Sequence, residues 1–273
     1  MHNELSDFDV EEIKKLAREK LGDCRKTYDI IGPQVFSILG LYARVIYYPL
    51  GKNAPWGFTR ISGVVNETEQ GKPFAAINTS IPLSCQVFAA AHELYHIWFE
   101  NSPDIIPGNL LDEDGIAVNE KKANRFAAEF LVDGIILQQE IDTYGITKIS
   151  IKEVLQLAVL FTVPYKAMVK RLHEIGLIND DERAEMLAET EESISRYRKK
   201  YALPDEEGDD KIAMDNLAEL SANAYEADLL SYEKLEYLLK LCSLKPEDLG
   251  IAPESAGAFP SDDELDEIME EDE

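Results

Sequence analysis

Positive charge is scarce in this chain: 27 Lys and Arg stand against 53 Asp and Glu among 273 residues, a formal charge of −26. Phosphate binding is driven by Lys and Arg neutralisation and counterion release, so a nucleic-acid binder working through bulk charge is excluded. Cysteine is scarce as well. Cys24, Cys85 and Cys242 form no CxxC pair and cannot all be bridged, which fits a reducing compartment and argues against a cysteine zinc site. No stretch approaches the roughly 18 uninterrupted apolar residues of a membrane helix, and no basic start runs into an apolar segment. A soluble, cytoplasmic protein without membrane contact is expected.

What is present is apolar material for a substantial core, 45% hydrophobic and 9% aromatic residues. The acidity is uneven: residues 1–180 carry −6 and residues 181–273 carry −20 of the total −26. Residues 9–21 read as an amphipathic helix with Asp9 as N-cap and Glu12 closing a capping box, and 33–41 as a second helix behind Pro33. The runs 43–48, 57–65 and 73–78 are rich in β-branched and aromatic residues and predict a small sheet. From Ser84 the period changes to that of a helix through HELYHIWF, and a further helix is predicted over about 117–132. Ser150 with Glu153 makes another capping box, and helices near 150–160 and 164–175 have a helix-turn-helix outline. Helices continue to about 241, separated by the loop 203–210. The last 13 residues hold 9 acids and no base, the composition of a solvated, disordered tail.

Only four histidines occur, and two of them fall in His92-Glu93-Leu94-Tyr95-His96, an HExxH pattern on a predicted helix. The i, i+4 spacing puts both imidazoles one turn apart on one face, able to grip one zinc ion, with Glu93 beside them as a base that is not a ligand. The plainer alternative is a pair of surface histidines with an ordinary glutamate. The apolar helix argues against it, since burying three polar groups unpaired would cost several kcal/mol. A catalytic zinc needs a third protein ligand and an open position. Glu120, 24 residues beyond His96, supplies it best, with Asn124 one turn later to hold an imidazole N–H. Glu129 competes, but nine further residues at 100° each put it on the opposite side of that helix.

The segments PFAAINTSIPLSCQVFAAAHELYHIWFE (73–100) and EKKANRFAAEFLV (120–132), with Trp56-Gly57-Phe58 upstream, resemble the ImmA/IrrE family of zinc metallopeptidases. That family shows a strand ending near Asn-Thr, an HELGH-type helix and an E-x-E-A-N-x-F-A-A helix, and the resemblance covers about residues 30–178. Three positions depart from it: Tyr95 where Gly is frequent, Lys122 in place of the second Glu, and Asp133-Gly134 in place of Met-Pro.

The resemblance implies a gluzincin-like site with one Zn2+ held by His92, His96 and Glu120, Glu93 as catalytic base, and Asn124 behind the ligands. It implies a cleft along a sheet edge, so that Ala75, Ala76, Ile77 and Asn78 would take the substrate backbone by strand addition. It further implies limited intracellular cleavage of a protein regulator, a helix-turn-helix repressor of a mobile element or stress regulon, as partner and substrate. A single helix precedes the peptidase pattern, so no direct nucleic-acid contact is expected. The alternative of another class is a non-catalytic antirepressor or toxin-system partner with a structural metal. A DNA-binding role for Lys152, Lys166, Lys170 and Arg171 is a weaker third reading in so acidic a chain. The expected architecture is α+β: a small mixed sheet packed on helices including the HExxH helix. The expected divisions are a peptidase domain at 1–178 with a helical subdomain at about 135–178, a helical region at 179–251, and a linker and acidic tail at 252–273.

Overall fold

The computed structural model describes residues 5–60, 73–100, 106–107, 118–214, 216–242 and 244–252. The expected continuation of the second strand to residue 65, residue 117 of the expected helix, and the acidic tail at 261–273 lie outside them. The chain divides into two compact units, Met1–Ile212 and Ala213–Glu273.

The first unit is α+β. Its elements run α1 (Asp7–Asp23), α2 (Gln34–Tyr42), β1 (Arg44–Tyr48), β2 (Gly57–Arg60), β3 (Phe74–Asn78), α3 (Leu83–Phe99), β4 (Ile106–Pro107), α4 (Val118–Leu131), α5 (Gly134–Thr143), α6 (Ile151–Phe161), α7 (Tyr165–Glu174), α8 (Asp180–Leu187) and α9 (Glu191–Lys200). Its strands lie in the order β4-β2-β3-β1. β3 pairs in parallel with β1, Arg44 opposite Phe74 through Tyr48 opposite Asn78. On its other side β3 pairs antiparallel with β2, Gly57 opposite Ile77 and Arg60 opposite Phe74. The sheet is therefore mixed, and β3 is an inner strand.

That placement corrects one expectation. Ala75, Ala76, Ile77 and Asn78 were expected to offer a free edge, but both edges of β3 are already hydrogen-bonded and all four residues are buried. No backbone donor or acceptor is left there for a peptide. Asn78 has a different task. Its side-chain carbonyl accepts from the Leu50 and Ser80 N–H groups and its amide donates to the Gly51 and Pro55 carbonyls. One side chain thus pins the turn that delivers the chain into β2.

The helix starts follow from local chemistry. α1 begins two residues before the expected cap: Ser6 is the N-cap, accepting from the Asp9 N–H, and the Asp9 carboxylate returns to the Ser6 N–H. Asp9 also meets Lys122 on α4 at 2.7 Å, and that partner, with Ser6, holds its carboxyl down at about 2. Lys122 thereby joins α1 to α4 in place of the family's glutamate. Asp133 caps α5, accepting from the Ile135 and Ile136 N–H groups, which accounts for Asp133-Gly134 where Met-Pro is common. Ser150 and Glu153 close the expected box on α6.

α3 is buried almost all round, packed against α2, α4, β2 and β3. A helix apolar on every side is one that a fold places at its centre. Along the α3–α4 seam Phe126 and Phe130 stack at 5.4 Å, with Tyr95, Trp98 and Phe99 set around Phe126 at 5.5–5.8 Å. Tyr95 turns into this seam, so its bulk is spent on packing α4. Burial of each such side chain contributes about 1.5–3 kcal/mol.

The first unit runs past the boundary expected at 178. The Tyr165 hydroxyl donates to the Met186 carbonyl at the end of α8, and α9 packs on α6. Beyond α9, the segment 204–211 lies on Thr79 and Ser80. The Asp210 N–H donates to the Thr79 carbonyl, the Thr79 hydroxyl to the Lys211 carbonyl at 2.8 Å, and the Ser80 hydroxyl to Asp210 at 2.7 Å. Gly208 sits so close that a Cβ there would run into the Thr79 and Ser80 backbone. The second unit is a helical pair, α10 (Leu217–Glu226) and α11 (Tyr232–Leu241), followed by a 3-10 turn at Pro246–Leu249, with Leu235 and Leu239 fully buried.

Candidate metal centre

α3 carries His92, Glu93 and His96 at its buried middle, all three 0% exposed. α4 brings Glu120 to them on its first turn and Asn124 one turn on. The Nε2 atoms of His92 and His96 face each other at 3.0 Å. Glu120 places Oε2 3.2 Å from His92 Nε2 and Oε1 3.5 Å from His96 Nε2. Three ligands about 2.0–2.1 Å from one tetrahedral ion stand about 3.3–3.4 Å apart, so these spacings match a common ion.

The other ring nitrogens are taken. His92 Nδ1 lies 3.0 Å from Asn124 Oδ1, and His96 Nδ1 lies 2.9 Å from Glu100 Oε2. Both partners are acceptors, so each Nδ1 carries the proton and each Nε2 presents a lone pair to the other and to Glu120. Three sets of lone pairs thus point into one buried space. Neither Glu93 oxygen, neither Glu120 oxygen and not Glu100 Oε1 has a hydrogen-bond donor. Each such buried acceptor costs about 1–3 kcal/mol, and more when charged. A cation removes that cost at once. Among the described residues the three ligating side chains form the one group of this kind, with ligand atoms within 4.8 Å of one another. The donor set therefore fits a divalent metal ion.

The electrostatics have the same origin. Burial opposes charge on both rings; on His92 the Glu120 and Glu93 carboxylates outweigh it and raise the pKa, whereas on His96 burial and the charge of His92 lower it. Burial pushes Glu93 up to about 7, against a smaller downward pull from His92. Gly57 on β2 gives the Glu93 side chain its room. A Cβ there would lie 3.0 Å from Glu93 Oε1 and 3.1 Å from the Ala76 carbonyl oxygen.

Glu129, the competing third ligand, is not near the imidazoles. It forms a two-pronged ion pair with Arg171 of α7, and Arg125 joins it at 2.6 Å. Glu129 and Arg171 are each 3% exposed, so Glu129 is no solvated surface residue and Arg171 is not offered to a phosphate. His173 pairs with Asp180 at the start of α8 at 2.9 Å. All three cysteines are free, and burial raises the Cys85 thiol to about 12.

Two residues of the site escaped the sequence. Glu100 was signalled by its spacing, four residues after His96 as His96 is four after His92. Gly57 had no such signal, because its closeness to Glu93 depends on strand order.

A buried helix bearing two histidines and a glutamate, completed by a glutamate from the next helix and flanked by a mixed sheet, is the core of a metallopeptidase-type domain. Residues 43–173 match the model of the Peptidase_M78 family, described as the IrrE N-terminal-like domain. That assignment agrees with the resemblance carried by HELYH and EKKANRFAA. A comparison with curated proteins gave no match. No helix among the described residues is long and apolar enough to cross a membrane.

Proposed function

We propose that the protein is a zinc-dependent endopeptidase of the cytoplasm that makes limited cuts in a protein regulator, a helix-turn-helix repressor being the substrate class the family resemblance favours. The observation that carries the catalytic part is the Glu93 carboxylate. It is fully buried, it has no donor on either oxygen, and it stands outside the set of ligands. A purely structural site has no use for a second acid in that condition, beside the ligand Glu120.

His92, His96 and Glu120 would hold the ion, Asn124 orients the His92 ring, and the apolar walls of α3 keep bulk water away. A zinc ion bound there would polarise the scissile carbonyl and bring the pKa of a water towards about 7. Glu93, buried and outside the ligand set, would take the proton from the attacking water and return it to the leaving amide nitrogen. Its place beside His92 in sequence keeps its carboxylate next to the ligands without joining them.

Incubation of the protein with zinc and a candidate helix-turn-helix repressor, followed by intact-mass analysis, tests this reading. Two fragments whose masses sum to the repressor plus one water, absent with Glu93→Gln, are expected. A stable complex with an intact repressor would support the non-catalytic alternative.

A further inference from the structure

We propose that Glu100 is the positioning residue for His96, and that its charge makes His96 the stronger nitrogen donor of the pair. This role rests on the metal-site reading above. Glu100 ends α3: its backbone is extended (φ −117, ψ 135), and its N–H donates to the His96 carbonyl at 3.0 Å. Its side chain folds back so that Oε2 meets His96 Nδ1 at 2.9 Å. One residue therefore grips His96 by both its backbone and its ring.

The two ligand histidines are supported unequally. His92 leans on the neutral amide oxygen of Asn124 at 3.0 Å, and His96 on a carboxylate whose side chain is 11% exposed. Among the described residues His96 is the ion-pair partner that reaches Glu100, and Glu100 Oε1 is buried without a donor. The carboxylate's field is therefore directed onto the His96 ring. A charged acceptor on Nδ1–H fixes the tautomer, locks the ring plane and increases electron density at Nε2. The HExxH pattern does not specify any residue at this position, and Glu100 is not itself among the ligand atoms.

The test uses the full-length protein stripped with chelator, and titrates zinc and cobalt in competition with a chelating fluorophore. Glu100→Ala should bind either metal roughly 10–100-fold more weakly than wild type. Glu100→Gln, which keeps an acceptor but drops the charge, should lose less, and its metal-free melting temperature should match wild type. The visible spectrum of bound cobalt should change in Glu100→Ala. Wild-type affinity in both variants would overturn the proposal, as would a loss of affinity matched by an equal loss of metal-free stability in both. Should Glu100→Ala not fold, Glu100→Gln decides, with unchanged affinity counting against the role. Failure of the wild-type protein to bind metal would instead remove the metal-site reading itself.

Discussion

Gly57 and Glu93 share a space that holds only one side chain, since a Cβ on Gly57 would stand 3.0 Å from Glu93 Oε1 and 3.3 Å from its Cγ. The strand beside the metal centre therefore sets the position of the base. Gly57→Ala should leave metal affinity unchanged while cutting the cleavage rate, and Gly57→Leu should abolish cleavage. Equal rates for Gly57→Ala and wild type in a fluorogenic or mass-based assay would show that the carboxylate tolerates displacement.

Glu93→Gln separates holding the metal from using it. The variant should bind one zinc like wild type, because the amide keeps the shape of the carboxylate without entering the ligand set, and should cleave nothing. Metal-free, the same variant should reveal the strain of the buried acid. With its folded pKa raised to about 7 from an ordinary 4.5, Glu93 holds its proton more tightly in the folded state. Wild-type stability should thus fall as pH rises from about 4.5 to about 7, by on the order of 3 kcal/mol, and Glu93→Gln should escape that loss. Parallel melting curves for the two proteins from pH 5 to 8 would refute it.

Glu120 and Glu129 make opposite demands on α4. Glu120→Ala should lose most metal affinity with little loss of metal-free stability, because it removes a buried carboxylate without a donor. Glu129→Ala should keep the metal site but lose about 1–3 kcal/mol, since the buried Arg171 guanidinium loses its two-pronged partner while keeping Glu174 and the Val132 carbonyl. Chemical denaturation and metal titration of both variants check the exchange. The reverse pattern would move the third ligand to Glu129.

Asn124→Ala should weaken metal binding or slow the reaction by roughly 10–100-fold without unfolding the protein, as expected when an imidazole loses the partner of its N–H. Asn124→Asp, keeping an acceptor, should recover most of it. Unchanged affinity and rate in the alanine variant would show that His92 needs no such support.

What could be read in the sequence is what a helix encodes locally. Residues 92 and 96 share a face by spacing alone, and the same arithmetic sets Glu120 and Glu129 on opposite sides of α4, facing the imidazoles and Arg171 respectively. Capping was legible only in part: Ser150 with Glu153 was clear, whereas Ser6 lost to Asp9 because both offer an oxygen near the start of the same apolar period. Strand order was not legible. That β3 is flanked by β1 and β2 depends on contacts between residues 14 to 30 apart, and a one-residue pattern cannot say which strand stands at an edge. For the same reason Ala75–Asn78 read as a binding edge, and the Arg171 partner of Glu129, 42 residues away, went unseen.

The bond from the Thr79 hydroxyl to the Lys211 carbonyl spans 132 residues of chain. Synthesis delivers residues in order at about 5–20 per second, so every group of the metal centre has emerged several seconds before residues 204–211 can reach Thr79. During that interval the centre can assemble on a nascent chain whose β3–α3 turn is still bare. Gly208 lets the segment come this close, since a Cβ there would run into the Thr79 and Ser80 backbone. In order of synthesis, then, the residues of the candidate cation site come first, and the acidic segment that crosses the turn comes last.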